Sequence, residues 1–202
     1  MPKIERAVLS CHDKTGLVEL AGLLEELGVE IISTSGTLSV LRGAGIRAVS
    51  IADFTGVPEM MNGRVKSLHP RVHAGLLGVR DSKLHVEQMQ AYELKWIDMV
   101  VVNLQPISDI IARNGGAPDV VLEQIDIGGV AMLRSAAKNH RYVTAVVDPR
   151  HYPGVMHELR AHDGGVSFAT RFRLAQEAFA CTAGYDAAVA DYLKSVAPSG
   201  EH

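Results

Sequence analysis

Residues Asn62 to Pro70 read N-G-R-V-K-S-L-H-P and bring Arg64, Lys66 and His69 together, three side chains able to carry positive charge or a proton. Further along, Asp126 to His140 read D-I-G-G-V-A-M-L-R-S-A-A-K-N-H, where Asp126 and Lys138 flank a Gly-Gly turn and an apolar run. Two such clusters in a compact protein suit a pocket that holds an anion beside acid-base groups. Arg64 offers a bidentate fork for phosphate, and Lys66 a compact charge whose pKa burial can lower. The bland alternative for Arg64 to Pro70 is a solvated basic loop, against which the apolar M-M-N and V-H-A-G-L-L neighbours argue for partial burial of the charges.

Two more segments have anion-binding chemistry. S-C-H-D-K-T-G, containing His12, Asp13 and Lys14, follows a β-type run and opens a helix-type run. Its N–H groups and Lys14 would face an anion at a helix N-terminus, or Asp13 and Thr15 would simply cap the helix. S-T-S-G-T, containing Thr34, Ser35, Gly36 and Thr37, repeats the design after the next β-type run. Two such loops at neighbouring strand ends favour phosphate. His69 and His73 have a four-residue spacing that ligates metal on a helix, but Pro70 interrupts them and no third ligand follows, so no metal is expected. Asp126 and Lys138 lie at opposite ends of one helical run, and spacing alone does not bring them into one pocket. Cys11 and Cys181 read as small buried hydrophobes.

The elements that must position these groups alternate. Ala7 to Ser10, Glu30 to Ser33, Arg47 to Ile51, Met99 to Leu104 and Val143 to Val147 read as strands; Leu17 to Leu27, Leu38 to Ala44, Leu84 to Ala91 and Val130 to Asn139 read as helices. Alternation of this kind predicts a mostly parallel sheet covered by helices on both faces, with ligands beyond the carboxyl ends of its strands. That rule selects the loops at Cys11 to Gly16, Thr34 to Thr37, from Asp53 onward, and Asn103 to Pro106. From Ser167 to Leu193, Phe168, Phe172, Ala175 and Phe179 begin one long helical pattern that needs a groove to pack against.

At 202 residues and 47% hydrophobic content the chain can bury a core of its own. A net charge of -3 argues against a nucleic-acid surface, which needs a basic excess. No apolar run reaches the roughly 20 residues that span a bilayer. With no leader-like N-terminal segment and no C-x-x-C spacing, a cytoplasmic location with reduced thiols is expected.

Taken together, S-C-H-D-K-T-G, S-T-S-G-T, G-V-P-E-M-M-N-G-R-V-K-S-L-H-P-R-V-H-A-G, V-V-N-L-Q-P, Q-I-D-I-G-G-V-A-M-L-R-S-A-A-K-N-H and A-F-A-C-T-A-G-Y-D-A resemble the IMP cyclohydrolase domain of the bifunctional AICAR transformylase/IMP cyclohydrolase family. The motifs follow family order from Arg6 to Leu193 and stop before a transformylase, which implies the cyclohydrolase alone. The resemblance implies a methylglyoxal-synthase-like, doubly wound α/β domain over residues 1–148, a C-terminal helical extension over 149–193 and a tail over 194–202. It implies closure of FAICAR to IMP and water without cofactor, in a homodimer supplied by a separate formyltransferase. By the same resemblance, His12, Asp13, Lys14, Thr34, Ser35, Gly36, Thr37, Arg64, Val65, Ser67, Asn103, Leu104, Gln105, Ile127 and Gly128 line the nucleotide site. Lys138 matches a proton-transfer lysine, with Lys66 and Asp126 near the reacting atoms.

The chain departs from that family at His12, Ser35 and Ser67, where serine, glycine and threonine are usual, each time keeping a polar group. Gln105 and Ile107 replace a tyrosine and a phenylalanine. Glutamine donates a hydrogen bond but cannot act as a proton acid or base, so these two positions bear on substrate and rate. Two other readings follow: a ring-closing enzyme for a purine-like nucleotide in a specialised nucleoside pathway, and a nucleotide-binding regulatory module without turnover.

Overall fold

The computed structural model describes residues 1–115 and 117–196; most of the expected tail lies outside them. Five strands, β1 (Arg6–Cys11), β2 (Glu30–Ser33), β3 (Val49–Ser50), β4 (Met99–Asn103) and β5 (Thr144–Val146), form one sheet in the order β3-β2-β1-β4-β5. Every pairing is parallel. This is the doubly wound order whose direction of winding reverses between β1 and β4. β4 lies inside the sheet between β1 and β5, and its Met99, Val100, Val101 and Val102 are buried on both faces, as a parallel strand under two helical layers must be.

The helices are α1 (Leu17–Glu26), α2 (Ser35–Gly43), α3 (Ile51–Thr55), α4 (Pro70–Leu77), α5 (Lys83–Ala91), α6 (Ile107–Arg113), α7 (Pro118–Glu123), α8 (Gly128–Lys138), α9 (Tyr152–Ala161) and α10 (Phe168–Ser195). Alternating side chains of the sheet sort them into layers. Ala7, Leu9, Ile31, Met99 and Val101 pack with Leu20 and Leu24 of α1 and Val155 and Leu159 of α9. Val8, Ile32, Val100 and Val102 pack with Val72 and Leu76 of α4, Met132 and Ala136 of α8, and Ala175 and Ala178 of α10. A third cluster joins Ile107, Ile110 and Val121 of α6 and α7 to Tyr185 and Tyr192 of α10. None of the helices among the described residues is long and apolar enough to cross a membrane.

All five expected strands are present, with two local differences. The run Arg47 to Ile51 shrinks to two residues because Ser50 Oγ accepts the Asp53 N–H and starts α3 there. α2 begins at Ser35 rather than Leu38, so Ser35, Gly36 and Thr37 form its first turn instead of a loop. Pro70 does not break a helix. It occupies the first position of α4, where no N–H is needed, with His69 as the cap before it.

Candidate functional site

A cavity of about 570 Å³ opens beyond the carboxyl ends of β1 and β2. Its size is that of a small-ligand site. Ser10 and Thr34 come from the strand ends, Asn62, Gly63, Arg64, Lys66 and Ser67 from the segment before α4, and Asp126, Ile127, Gly128 and Gly129 from the start of α8. Arg64 and Lys66 of one sequence cluster and Asp126 of the other thus line one cavity.

The first wall is a tight hairpin. Met60 and Val65 exchange backbone hydrogen bonds of 3.0 and 3.2 Å, and Met61, Asn62 and Gly63 between them all have positive φ. Two non-glycine residues held there store conformational strain, a feature that gathers at binding sites. The turn presents Arg64 and Lys66, while Ser67 is 2% exposed and packed under α8. Lys66 Nζ makes no hydrogen bond or ion pair among the described residues, so an unengaged cation borders the cavity.

The second wall depends on two glycines. A Cβ on Gly128 would stand 2.3 Å from Ser67 Oγ, and one on Gly129 would stand 2.3 Å from Asp126 Oδ2. Only hydrogen at both positions lets the helix start reach the hairpin and the carboxylate. Asp126 Oδ1 accepts the Gly129 N–H at 2.7 Å, and the Asp126 N–H donates to Tyr185 Oη at 2.9 Å. Across the mouth, Arg64 is bridged to Glu123 at the end of α7 through two guanidinium contacts, one of them 3.0 Å. The pairing raises the arginine's pKa and lowers that of the glutamate.

Along the sheet edge the other expected loops are tied together. Asn103 Oδ1 accepts the Asp13 N–H at 2.7 Å, and its Nδ2 donates to the Asp13 carbonyl at 2.8 Å. This locks the β1 loop to the end of β4 at the switch point. Thr37 Oγ1 accepts the Cys11 N–H and returns a hydrogen bond to its carbonyl, and Ser10 Oγ lies 2.7 Å from Thr34 Oγ1. Asp13 Oδ1 accepts the Thr15 N–H, which lowers the Asp13 pKa. Asp13 and Thr15 do not cap α1: that position belongs to Gly16, at φ 68°. Lys14 Nζ is committed to the Cys11 and His12 carbonyls at 3.2 Å each. Beneath the loop, burial pushes the Cys11 thiol up to about 11, so it is no nucleophile at neutral pH.

Of the expected residues, Thr34, Arg64, Lys66, Ser67, Asp126, Ile127 and Gly128 line the cavity. His12, Asp13 and Lys14 lie in the loop after β1, Ser35, Gly36 and Thr37 in the first turn of α2, Asn103 at the end of β4 with Leu104 and Gln105 just beyond it, and Val65 in the hairpin, all outside the lining. Lys138 is exposed at the last position of α8, an 11-residue helix that begins at Gly128, and at 1.5 Å per residue it stands about 15 Å from that start. Within one chain it does not join Lys66 and Asp126, because the helix holds it at the far end. His69 Nδ1 accepts the Arg71 N–H, and His73 Nδ1 lies 3.0 Å from Ser135 Oγ, so the two rings serve different partners. No group of His, Cys, Asp and Glu among the described residues is arranged to hold a metal ion.

Ser10, Asn62, Glu123, Gly129 and Tyr185 were not singled out from sequence. The A-G-Y-D run marked Tyr185 only as part of a pattern, and nothing local ties Glu123 to Arg64. Another depression of about 610 Å³, bordered by Glu25, Arg42 and Arg47, lies where β2 begins. It is a more open surface at the end of the sheet opposite to the loops described above, and it has no comparable set of convergent polar groups.

The chain matches the model of the MGS-like domain over residues 16–131 and that of the AICARFT/IMPCHase bienzyme over residues 136–201. The bifunctional purine biosynthesis protein PurH of Magnetococcus marinus is 48% identical over 200 residues, covering 99% of this chain and 38% of the relative. PurH of Cereibacter sphaeroides is 51% identical over 199 residues, covering 96% and 37%. The chain therefore spans under two-fifths of the length of these curated relatives. Among solved structures, the crystal structure of ForH superposes with a TM-score of 0.84 at 36% identity, covering 94% of this chain and 99% of that one. With the MGS-like model matching more than half of its length, the chain belongs to the MGS-like family, and its last third matches the model of the AICARFT/IMPCHase bienzyme.

Proposed function

We propose that the protein closes the purine ring of FAICAR, a ribonucleotide with a formamido group beside a carboxamide, to give IMP and water. The observation that carries this reading is the unengaged Lys66 ammonium facing Asp126 across a nucleotide-sized cavity. In the reaction the carboxamide nitrogen attacks the formyl carbon and forms the new C–N bond. The attacking nitrogen loses a proton and negative charge builds on the former carbonyl oxygen; the C–O bond then breaks as the formamido nitrogen gives up its proton and forms the C=N bond, and the oxygen departs with both protons as water. Lys66 stabilises the oxygen, and Asp126 takes and returns protons. Both reacting groups belong to one molecule, which can supply an effective molarity on the order of 10⁵ to 10⁸ M when aligned, so orientation and proton handling are the enzyme's main tasks.

In this reading Thr34, Ser67 and Arg64, with the first turn of α2 and the β1 loop, hold the nucleotide. The unpaired N–H groups of a helix start suit phosphate. Lys138 enters as a proton relay from a second copy of the chain, since its own helix keeps it away. FAICAR itself comes from a formyl-transfer step, the activity expected of a separate enzyme. The test is closure of FAICAR followed by absorbance of IMP, in chelator. A rate no faster than the spontaneous reaction overturns the proposal, and binding of IMP without turnover would identify a regulatory module instead.

A second reading, ring closure of a different purine-like nucleotide, is favoured by one observation: Gln105 stands in the loop just after β4, where the resembling family has tyrosine. If FAICAR is the substrate, Gln105→Tyr restores a phenol and raises kcat. If the variant closes FAICAR more slowly with nucleotide affinity intact, glutamine is suited to another substrate and the second reading replaces the first.

A further inference from the structure

Asp126 lies in the connection between α7 and α8, where neither sheet nor helix supplies a partner for its N–H. The group donates instead to Tyr185 Oη, 59 residues away on α10, at 2.9 Å. The tyrosine is well placed to hold it. Its ring is 8% exposed and clamped in the cluster of Ile107, Ile110, Val121 and Tyr192, against which Ile125 and Val130 also pack. Those last two residues bracket the Asp126 to Gly129 turn, so ring and turn share one packed unit. Burial raises the phenol's pKa, which keeps the hydroxyl neutral through the physiological range.

Two hydrogen bonds therefore fix Asp126, one at its backbone through Tyr185 and one at its side chain through the Gly129 N–H on Oδ1. Oδ2 receives no hydrogen bond among the described residues, which leaves one carboxylate oxygen for chemistry in the cavity that Asp126 lines. The side-chain bond alone is a short-range cap within one turn. The link to α10 is what ties that turn to the rest of the molecule.

We propose that Tyr185 is a positioning residue for Asp126: its hydroxyl sets the height of the turn so that the free carboxylate oxygen meets the reacting group. The proposal rests on the assignment of Asp126 to the ring-closing chemistry made above. It gives the long C-terminal helix a part in catalysis beyond covering the sheet. An error in placement of about 1 Å at a reacting group can cost on the order of 10² in rate, so loss of one anchoring contact has a measurable effect.

The test is a double-mutant cycle on the full chain with FAICAR as substrate. Tyr185→Phe keeps the ring and its packing and removes only the acceptor. It is expected to lower kcat by about tenfold with KM within about twofold, since the contact acts on orientation rather than on nucleotide binding. In the background of Asp126→Asn, which keeps an acceptor for the Gly129 N–H, the same change is expected to lower kcat by less than about twofold. An equal loss in both backgrounds, or no loss in the single variant, overturns the proposal. Amide hydrogen exchange separates this outcome from failure of the functional reading. Protection of the Asp126 amide falls at least about tenfold in Tyr185→Phe if the hydroxyl holds the turn. Unchanged protection overturns the proposal even if FAICAR is the substrate. An inactive parent with the protection effect intact overturns the FAICAR reading and, with it, the catalytic purpose of the contact.

Discussion

At the residue scale, the charges around the cavity divide into engaged and unengaged groups. Lys14 already serves two carbonyls, and Arg64 already serves Glu123, whereas Lys66 has no protein partner among the described residues. The Arg64–Glu123 bridge is exposed on both sides, where ion pairs contribute little, so an incoming phosphate or carboxamide can displace the carboxylate cheaply. Lys66 has no such competition, and in the proposed reaction it meets the charge that develops on oxygen. Lys66→Ala is therefore expected to lower kcat for FAICAR by about 10² or more with a small change in KM, in keeping with loss of a group that acts in the transition state. Steady-state kinetics check this, and a rise in KM alone would reassign the lysine to substrate binding.

At the scale of elements, α4 and α8 hold the two walls. Pro70 and the His69 cap start α4 immediately after the hairpin, and Gly75 lets that helix approach the chain before β4, where a Cβ would meet the Lys95 carbonyl at 2.6 Å. His73 connects the two helices through Ser135, and its Nε2 is buried without a hydrogen-bond partner, although the Ser67 backbone lies near enough to favour the protonated ring somewhat. Burial dominates and lowers the His73 pKa below its ordinary 6.5. Between the lowered folded value and 6.5 the unfolded chain holds the extra proton, so the contribution of this residue to stability is present above pH 6.5 and declines as pH falls through that window. Urea unfolding at a series of pH values should show a shallower acid-side decline for His73→Gln than for the parent. Equal slopes would mean that other groups account for the whole dependence.

At the scale of the whole molecule, the C-terminal segment belongs to the core rather than trailing from it. Tyr152 and Leu159 of α9 and Leu174 of α10 are buried in the same cluster as β1, and α10 runs on past α8 to reach the Asp126 turn. The same rigid framework keeps Lys138 away from the cavity of its own chain. If a second copy brings its Lys138 into that cavity, the protein is a dimer and its two defects complement across the interface. Mixing Lys66→Ala and Lys138→Ala protomers should then restore about a quarter of the parental activity, because random pairing makes half the dimers mixed and each of those has one intact site. Activity no higher than that of the separate variants would place Lys138 outside the reaction.

Much of this was readable along the chain because the signals are local. The continuous apolar run at Met99 to Val102, the alternation of strand-type and helix-type runs and the pattern from Ser167 onward identified the five strands, a doubly wound sheet and the long last helix. Short helices such as α3, α6 and α7 escaped because five to seven residues barely sample a helical period. The chemistry-bearing types at Arg64, Lys66 and Asp126 were also legible, since few residues supply such charges beside glycine turns. What only tertiary structure decided was which of them meet. Reversal of winding at β1 and β4 brings loops from distant parts of the chain to one sheet edge, pairing Arg64 with Glu123 and Asp126 with Tyr185, while the stiffness of one helix keeps Lys138 from Asp126. Periodicity specifies which face of an element is buried; contact between loops is set by the packing of whole elements, whose distances no spacing along the chain records.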